Sequence, residues 1–189
     1  MDEIKPGYTR VSDILKPWTN FDNIPPEILE RKRKIGEEVH EAIHMFNCCI
    51  PVTYEGEGIS YFESALNWMQ KFKVMIDVDH SETRLYDDEL MITGKIDALV
   101  KFPHEDEMVM VDWKTSASAN KKTKLLWQLQ GTLYHYLLMK NDYPNLSDRF
   151  LFIQLDSDSG LPKIHEFTYS SDVMNVAASL IAAHRYFNP

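Results

Sequence analysis

Apolar residues recur at helical spacing in four stretches of the chain. In the first stretch, Ile35, Val39 and Ile43 lie three or four positions apart, and Pro26 suits the first turn of a helix. The other stretches show the same period, and Ser170 or Ser171 would cap the last of them. The predicted helices span residues 26–46, 61–75, 124–140 and 172–186.

Between the second and third predicted helices, the apolar period changes to the alternation that is typical of strands. Turn residues such as Asp87-Asp88 separate these stretches. The predicted strands span residues 83–86, 90–101, 108–115, 150–155 and 163–169, and the proline-containing first 25 residues are expected to form turns and short helices. This order of elements predicts a mixed α/β sandwich rather than a regular βαβ alternation.

Length and composition limit the classes of protein to consider. At 189 residues, one domain over residues 1–189 is expected. With 29 acidic against 20 basic residues, the net charge of −9 excludes a protein that coats nucleic acid by charge alone. This net charge is compatible with a local run of basic residues beside an acidic site that binds a cation.

The location of the protein is also constrained by composition. No apolar run approaches the roughly 18 residues of a membrane span, and the initial Met-Asp-Glu-Ile-Lys lacks an apolar signal region. The cysteines Cys48 and Cys49 are adjacent, which suits neither a disulfide framework nor a four-thiolate metal site. We therefore expect a reducing, cytoplasmic location.

Two neighbouring predicted strands carry candidate catalytic residues. Alternation along strand 108–115 sends Asp112 and Lys114 to one face and Trp113 to the other. If the two strands pair as a hairpin, Asp97 can face the same site. Carboxylates of this kind bind Mg²⁺ or Mn²⁺, and a lysine can orient or deprotonate the attacking water. A solvated strand-end aspartate or a surface Asp–Lys ion pair is the alternative for either motif alone.

Four short motifs follow one another along the chain. They are Gly36-x-x-x-His40 in the first helix, Gly94-x-x-Asp97 and Asp112-Trp113-Lys114-Thr115 in the strands, and Gln130-x-x-x-Tyr134 in the third helix. In this order they resemble the PD-(D/E)XK nuclease superfamily, and within it the RecB-like exonucleases. Ile96 replaces the proline of the family name, and two cysteines cannot supply the iron–sulfur cluster of some members. The resemblance covers about residues 31–136 and implies an α/β restriction-endonuclease-like core, a mixed central sheet flanked by helices.

The resemblance implies a role for each matching residue. Asp97 and Asp112 would bind the metal ion, Mg²⁺ or Mn²⁺, together with His40 and the main-chain carbonyl of Trp113. Lys114 would assist the attacking water. On its own sequence context, His40 could equally be a boundary residue at the edge of an apolar helix stripe.

Further residues are implied in support of the site or in DNA binding. Gln130 and Tyr134 lie one turn apart on one helix face and would reach the same place. Glu82 is a further acidic candidate, although a solvated link between helix and strand explains it as well. Basic residues in two runs would contact phosphates, or else lie on solvated helix faces; they are Arg31 and Arg33 in Arg31-Lys32-Arg33-Lys34, and Lys121, Lys122 and Lys124.

These features predict a Mg²⁺- or Mn²⁺-dependent DNA exonuclease that acts on single- or double-stranded ends in replication, recombination or repair. A bacterial or phage-infected cell would be its setting, with a recombination or replication protein as a partner. No Gly-x-x-x-x-Gly-Lys-Ser/Thr loop is present, so no nucleotide cofactor is expected. An inert nuclease-fold subunit that binds DNA or a partner protein is the alternative. A sequence-specific restriction enzyme is disfavoured because no extra recognition segment is visible.

Overall fold

Helices and strands alternate irregularly along the chain. The computed structural model describes residues 4–19 and 24–188. The helices are α1 (Val11–Leu15), α2 (Pro26–Asn47), α3 (Ile59–Phe72), α4 (Lys121–Lys140) and α5 (Ser171–Phe187). The strands are β1 (Thr9–Arg10), β2 (Met75–Ile76), β3 (Arg84–Asp87), β4 (Ile92–Lys95), β5 (Ala98–Lys101), β6 (Met108–Lys114), β7 (Leu146–Gln154) and β8 (Lys163–Thr168). In these residues, no helix has both the length and the apolar character needed to cross a membrane.

The strands form two sheets. The larger sheet has the order β2-β5-β6-β7-β8, and its central pair, β6 and β7, is parallel while the other pairs are antiparallel. The smaller sheet has the order β1-β4-β3. Helix α4 makes the crossover between the parallel strands, as a parallel connection requires. The predicted architecture, a mixed central sheet flanked by helices, is confirmed.

The prediction of one strand over residues 90–101 is wrong. This stretch contains β4, which pairs with β3 in the small sheet, and β5, which pairs with β6 in the large sheet. Between them, the Ile96 N–H donates to the Thr83 carbonyl, and the Asp97 carbonyl accepts from Glu82 N–H. No proline or turn dipeptide separates Lys95 from Ala98, so the local sequence could not reveal this break. Asp97 consequently lies at the joint between the two sheets.

Several boundaries differ from the predicted ones for local reasons. Helix α3 ends before residue 75 because Lys73 adopts a left-handed conformation with φ of 50°. Helix α4 begins three residues early because the Asn120 side chain accepts from the Thr123 N–H at 2.9 Å. Ser170 precedes α5 as predicted, but its hydroxyl makes no capping hydrogen bond.

Two apolar layers cover the two faces of the large sheet. One layer packs α1, α4 and α5 on the face that carries Met110 and Phe152. The other packs α2 and α3 on the face that carries Val111 and Trp113, whose ring meets that of Trp68 at 5.4 Å. Since side chains alternate along β6, its Asp112 and Lys114 lie on the α4 side, and they share a face opposite Trp113 as the sequence predicted.

Candidate active site

Four parts of the fold bring the predicted site residues together at one end of β6. Helix α2 carries His40, and the joint between β4 and β5 carries Asp97. Strand β6 ends with Asp112 and Lys114. Helix α4 faces them with Gln130, so long-range packing assembles motifs that are far apart in sequence.

His40 lies between oxygen atoms from three segments. Its Nδ1 is 3.3 Å from Asp97 Oδ1 and 3.9 Å from Glu82 Oε1, and its Nε2 is 3.0 Å from the main-chain oxygen of Trp113. His40, Glu82 and Asp97 each offer one ligand atom, and these three atoms lie within 4.8 Å of one another. Since hard divalent ions hold their ligands at about 2.0–2.6 Å, ligand atoms this close can share one ion.

The charges in this group depend on one another. Burial alone would lower the pKa of His40, but the nearby carboxylates, Asp97 foremost, outweigh burial and raise it to about 9. Burial alone would raise the pKa of Asp97. The charge of His40 and the Trp113 N–H, which donates to Asp97 Oδ2 at 2.8 Å, instead hold this pKa below its ordinary value. The charge of Asp97 therefore favours a proton on His40, and a bound cation would take the place of that proton.

Two consecutive residues hold the main-chain carbonyl of Asp97. The Ser81 hydroxyl and the Glu82 N–H both donate to it at 3.1 Å. Ser81 is buried, and its oxygen lies 3.1 Å from His44 Nδ1, one helical turn beyond His40. Glu82 has a left-handed φ of 55°, and its side chain pairs with Lys95. Burial, reinforced by Asp97, raises the pKa of Glu82.

A chain of polar contacts links β6 to α4. Lys114 Nζ lies 2.5 Å from Asp112 Oδ2 and donates to Gln130 Oε1 at 3.2 Å. Gln130 Nε2 donates to Asp112 Oδ1 at 3.3 Å and to the Tyr134 hydroxyl at 3.1 Å. Burial raises the pKa of Asp112 to about 6, although Lys114 opposes the shift. Gln130 thus contacts both candidate catalytic residues of β6, which is compatible with the supporting role implied for it.

The glycines of two motifs permit close packing around the site. A Cβ at Gly94 would lie 2.7 Å from the Tyr134 ring, and a Cβ at Gly36 would lie 3.2 Å from Thr115 Oγ1. Contacts this short force a neighbour to move. Gly94 therefore lets the Tyr134 ring lie directly on β4, and Gly36 lets α2 approach the end of β6.

The donor set fits a hard divalent cation. Carboxylate oxygens from Asp97 and Glu82, with one imidazole nitrogen, are ligands that Mg²⁺ or Mn²⁺ accepts. Asp112 lies outside the group of three, and its buried Oδ2 is paired with the Lys114 amine. The main-chain carbonyl of Trp113 is the remaining candidate metal ligand. Glu82, which the sequence left open, thus joins the site.

An open cleft of about 630 Å³ leads to this group. Charged side chains of both signs line it: the basic ones are Arg10, Lys32, Arg33, Arg84 and Lys95, and the acidic ones are Glu37, Glu41 and Glu82. The Nε of Arg84 is buried without a hydrogen-bond partner among the described residues. Arg10 and Arg84 were missed by the sequence reasoning, because pairing in the small sheet is what brings β1 and β3 to the cleft.

The basic residues named from the sequence have different surroundings. Arg31 pairs with Glu57 and does not line the cleft. Arg33 lines the cleft but pairs with Glu30 and Glu37. The lysines of the second run do not line the cleft and lie in the exposed first turn of α4; they are Lys121, Lys122 and Lys124. Their roles in DNA binding stay predictions.

A family model of the PD-(D/E)XK nuclease superfamily matches residues 51–184. The chain belongs to this superfamily. The match includes Glu82, Asp97, Asp112 and Lys114 and begins after His40. No curated protein sequence matches the chain.

Two solved structures are similar to this chain at low sequence identity. The crystal structure of SSO0001 is similar with a TM-score of 0.52 and 13% identity, over 100% of this chain and 80% of that chain. The crystal structure of LHK-Exo in complex with dAMP has a TM-score of 0.43 and 9% identity, over 95% of this chain and 87% of that chain. The first likeness shows a common fold.

Proposed function

We propose that this chain is a divalent-metal-dependent nuclease of the RecB-like exonuclease branch, built as a single domain, that hydrolyses phosphodiester bonds at DNA ends. The observation that carries the proposal is the group of His40, Glu82 and Asp97, whose ligand atoms lie within 4.8 Å of one another. The Lys114 amine on β6 is close enough for its charge to lower the pKa of Asp97. Membership of a nuclease superfamily supports it. We expect the enzyme to act in the cytoplasm, in replication, recombination or repair.

The residues of the site divide the work of phosphodiester hydrolysis. His40, Glu82 and Asp97 would hold Mg²⁺ or Mn²⁺, with Asp112 and the Trp113 carbonyl beside them. A bound ion of this kind polarises a phosphoryl oxygen and makes water more acidic. The protein would hold these ligands in place around the scissile phosphate.

Lys114 is the candidate for water activation and charge neutralisation. Its amine is fixed by Asp112 and Gln130, which limits the positions that it can take. From there it can orient the attacking water and stabilise the negative charge that develops on the phosphate. The arginines of the cleft, Arg10 and Arg84, would hold the sugar-phosphate backbone.

The proposal is tested with end-labelled oligonucleotides, single- and double-stranded, incubated with and without Mn²⁺ and sized on a gel. We expect progressive shortening that requires the ion, and loss of that shortening in Asp97→Asn and Lys114→Ala. The matched control is Asp106→Asn, which removes an exposed carboxylate outside the site. Full activity in either site variant, with folding verified by circular dichroism, would contradict the assignment.

Two further measurements, a metal titration and a plasmid digest, distinguish two alternative functions. A chain that neither cleaves DNA nor binds Mg²⁺ or Mn²⁺ in calorimetry would be an inert nuclease-fold subunit for DNA or for a recombination or replication partner. Discrete fragments from a plasmid digest would indicate a sequence-specific endonuclease. Progressive loss from ends is the result that the proposal requires.

A further inference from the structure

A row of three side chains along α2 leads away from the candidate active site. His40, His44 and Cys48 follow one another at intervals of four residues, and residues four apart lie on one face of a helix. His40 belongs to the metal-site group, whereas His44 and Cys48 lie beyond it and are half-buried. Cys48 is held at the end of α2 because its N–H donates to the His44 carbonyl at 3.0 Å.

The partners of Ser81 determine where the hydrogens lie between His44 and Asp97. The Ser81 hydroxyl has one hydrogen, and it donates this hydrogen to the Asp97 carbonyl at 3.1 Å, which can only accept. The contact of 3.1 Å between Ser81 Oγ and His44 Nδ1 is then a hydrogen bond only if Nδ1 donates. In a neutral His44 ring, Nε2 therefore carries the lone pair, and it faces the Cys48 thiol, a weak donor, at 3.8 Å. The hydrogen bonds thus run in one direction, from Cys48 through His44 and Ser81 to Asp97.

The carbonyl that ends this row belongs to a residue outside the strands. Asp97 lies between β4 and β5, and its carbonyl is held by the Ser81 hydroxyl and the Glu82 N–H. A hydroxyl can rotate about its C–O bond, so Ser81 alone does not keep its hydrogen on one acceptor. Donation from His44 occupies a lone pair of Ser81 and leaves the hydrogen for Asp97. Since Ser81 is only 7% exposed, water competes little for these bonds.

We propose that His44 is a positioning residue of the metal site, which acts through the Ser81 hydroxyl on the main chain of Asp97, while Cys48 stabilises the required form of the His44 ring. The proposal rests on the proposed function, because Asp97 is a metal ligand only there. Residues that hold a ligand without touching the ion typically change metal affinity by about 10–100-fold when they are removed. His44 acts through one intervening residue, so we expect the lower end of this range.

The test measures Mn²⁺ binding by calorimetry, without DNA, for two substitutions of His44. In His44→Asn, the amide nitrogen can take the place of Nδ1 and donate to Ser81. In His44→Leu, a side chain of similar size offers no donor. We expect Mn²⁺ affinity close to that of the wild type in His44→Asn and about 10-fold weaker in His44→Leu. The matched control is His184→Leu, a half-buried histidine of α5 on the opposite face of the large sheet, which should bind Mn²⁺ as the wild type does.

Two further measurements separate a positioning role from a merely structural one. In a Ser81→Ala background, His44→Leu should cause no further loss of Mn²⁺ affinity, since the two residues act in series. Heteronuclear NMR of the metal-free protein should find the ring hydrogen of His44 on Nδ1, whereas a neutral histidine in water carries it mostly on Nε2. The His44 signals are identified by their absence in His44→Asn.

Several outcomes would overturn the role of His44. They are an unchanged Mn²⁺ affinity in His44→Leu, an affinity of His44→Asn as weak as that of His44→Leu, a full second loss in the Ser81→Ala background, or a ring hydrogen on Nε2. Mn²⁺ binding with the expected pattern but without DNA cleavage would leave the positioning role standing and refute the nuclease proposal. A wild-type chain that does not bind Mn²⁺ would refute both.

Discussion

Replacing Gly94 by alanine tests whether the packing of Tyr134 on β4 organises the site. The new Cβ would lie 2.7 and 2.8 Å from two ring carbons of Tyr134 and 3.0 Å from Leu137 Cδ1. Tyr134 is buried and bound by Gln130, so its ring has little room to withdraw. Overpacking of this kind typically costs about 1–3 kcal/mol. For a chain of this length each kcal/mol lowers the melting temperature by about 2–4 °C, so we expect a fall of about 2–12 °C.

The assay for Gly94→Ala is thermal unfolding followed by circular dichroism, with DNA cleavage measured below the transition. Cleavage should fall as well, since a displaced Tyr134 loses Gln130, which contacts Lys114. Tyr134→Phe separates the two effects: it removes one hydrogen bond, worth about 0.5–1.5 kcal/mol, without adding volume. Gly56→Ala is the control because its Cβ meets nothing within 4 Å. A Gly94→Ala protein that melts with the wild type would show that the glycine is not required for packing.

Two further predictions concern buried polar side chains. Burial lowers the pKa of His135, whose Nε2 donates to the Ser147 carbonyl at 2.9 Å. The unfolded chain then binds more protons, so the free energy of unfolding should fall as the pH drops below about 6.5. Urea unfolding at several pH values should show a smaller fall for His135→Gln, and an equal fall would contradict this assignment. Ser81→Ala removes a hydrogen bond to the Asp97 carbonyl, so calorimetry should show weaker Mn²⁺ binding than in the buried control Ser64→Ala; equal affinities would contradict a positioning role for Ser81.

The apolar period predicted the helices and strands that bury one face, because such burial places apolar residues at regular intervals along the sequence. Helix α4 and the shared face of Asp112 and Lys114 along β6 were predicted from such intervals. The division of residues 90–101 between two sheets could not be predicted in this way, since no proline or turn dipeptide separates the two strands. Which strand a segment pairs with is decided by tertiary contacts, and Asp97 sits where that choice changes.

The sequence predicted those residues of the candidate site that belong to short motifs. Glu82 had no motif, and it reaches the site because its main chain binds Asp97 and its side chain faces His40. The pairing of Arg33 with Glu30 and Glu37 follows the spacing of neighbours on a helix face. Pairing of Arg31 with Glu57 could not be read in this way, because that contact joins α2 to the segment before α3.

Trp113 connects the interior of the protein with its candidate catalytic centre. Its indole packs against Trp68 in the apolar layer beneath the sheet, while its peptide groups bind Asp97 and His40. A change of volume in that layer would therefore shift two candidate ligands without touching either of them. Sequence variation in the interior and variation in catalytic performance should be correlated in this protein, and engineering for thermal stability should begin on the α5 side of the sheet.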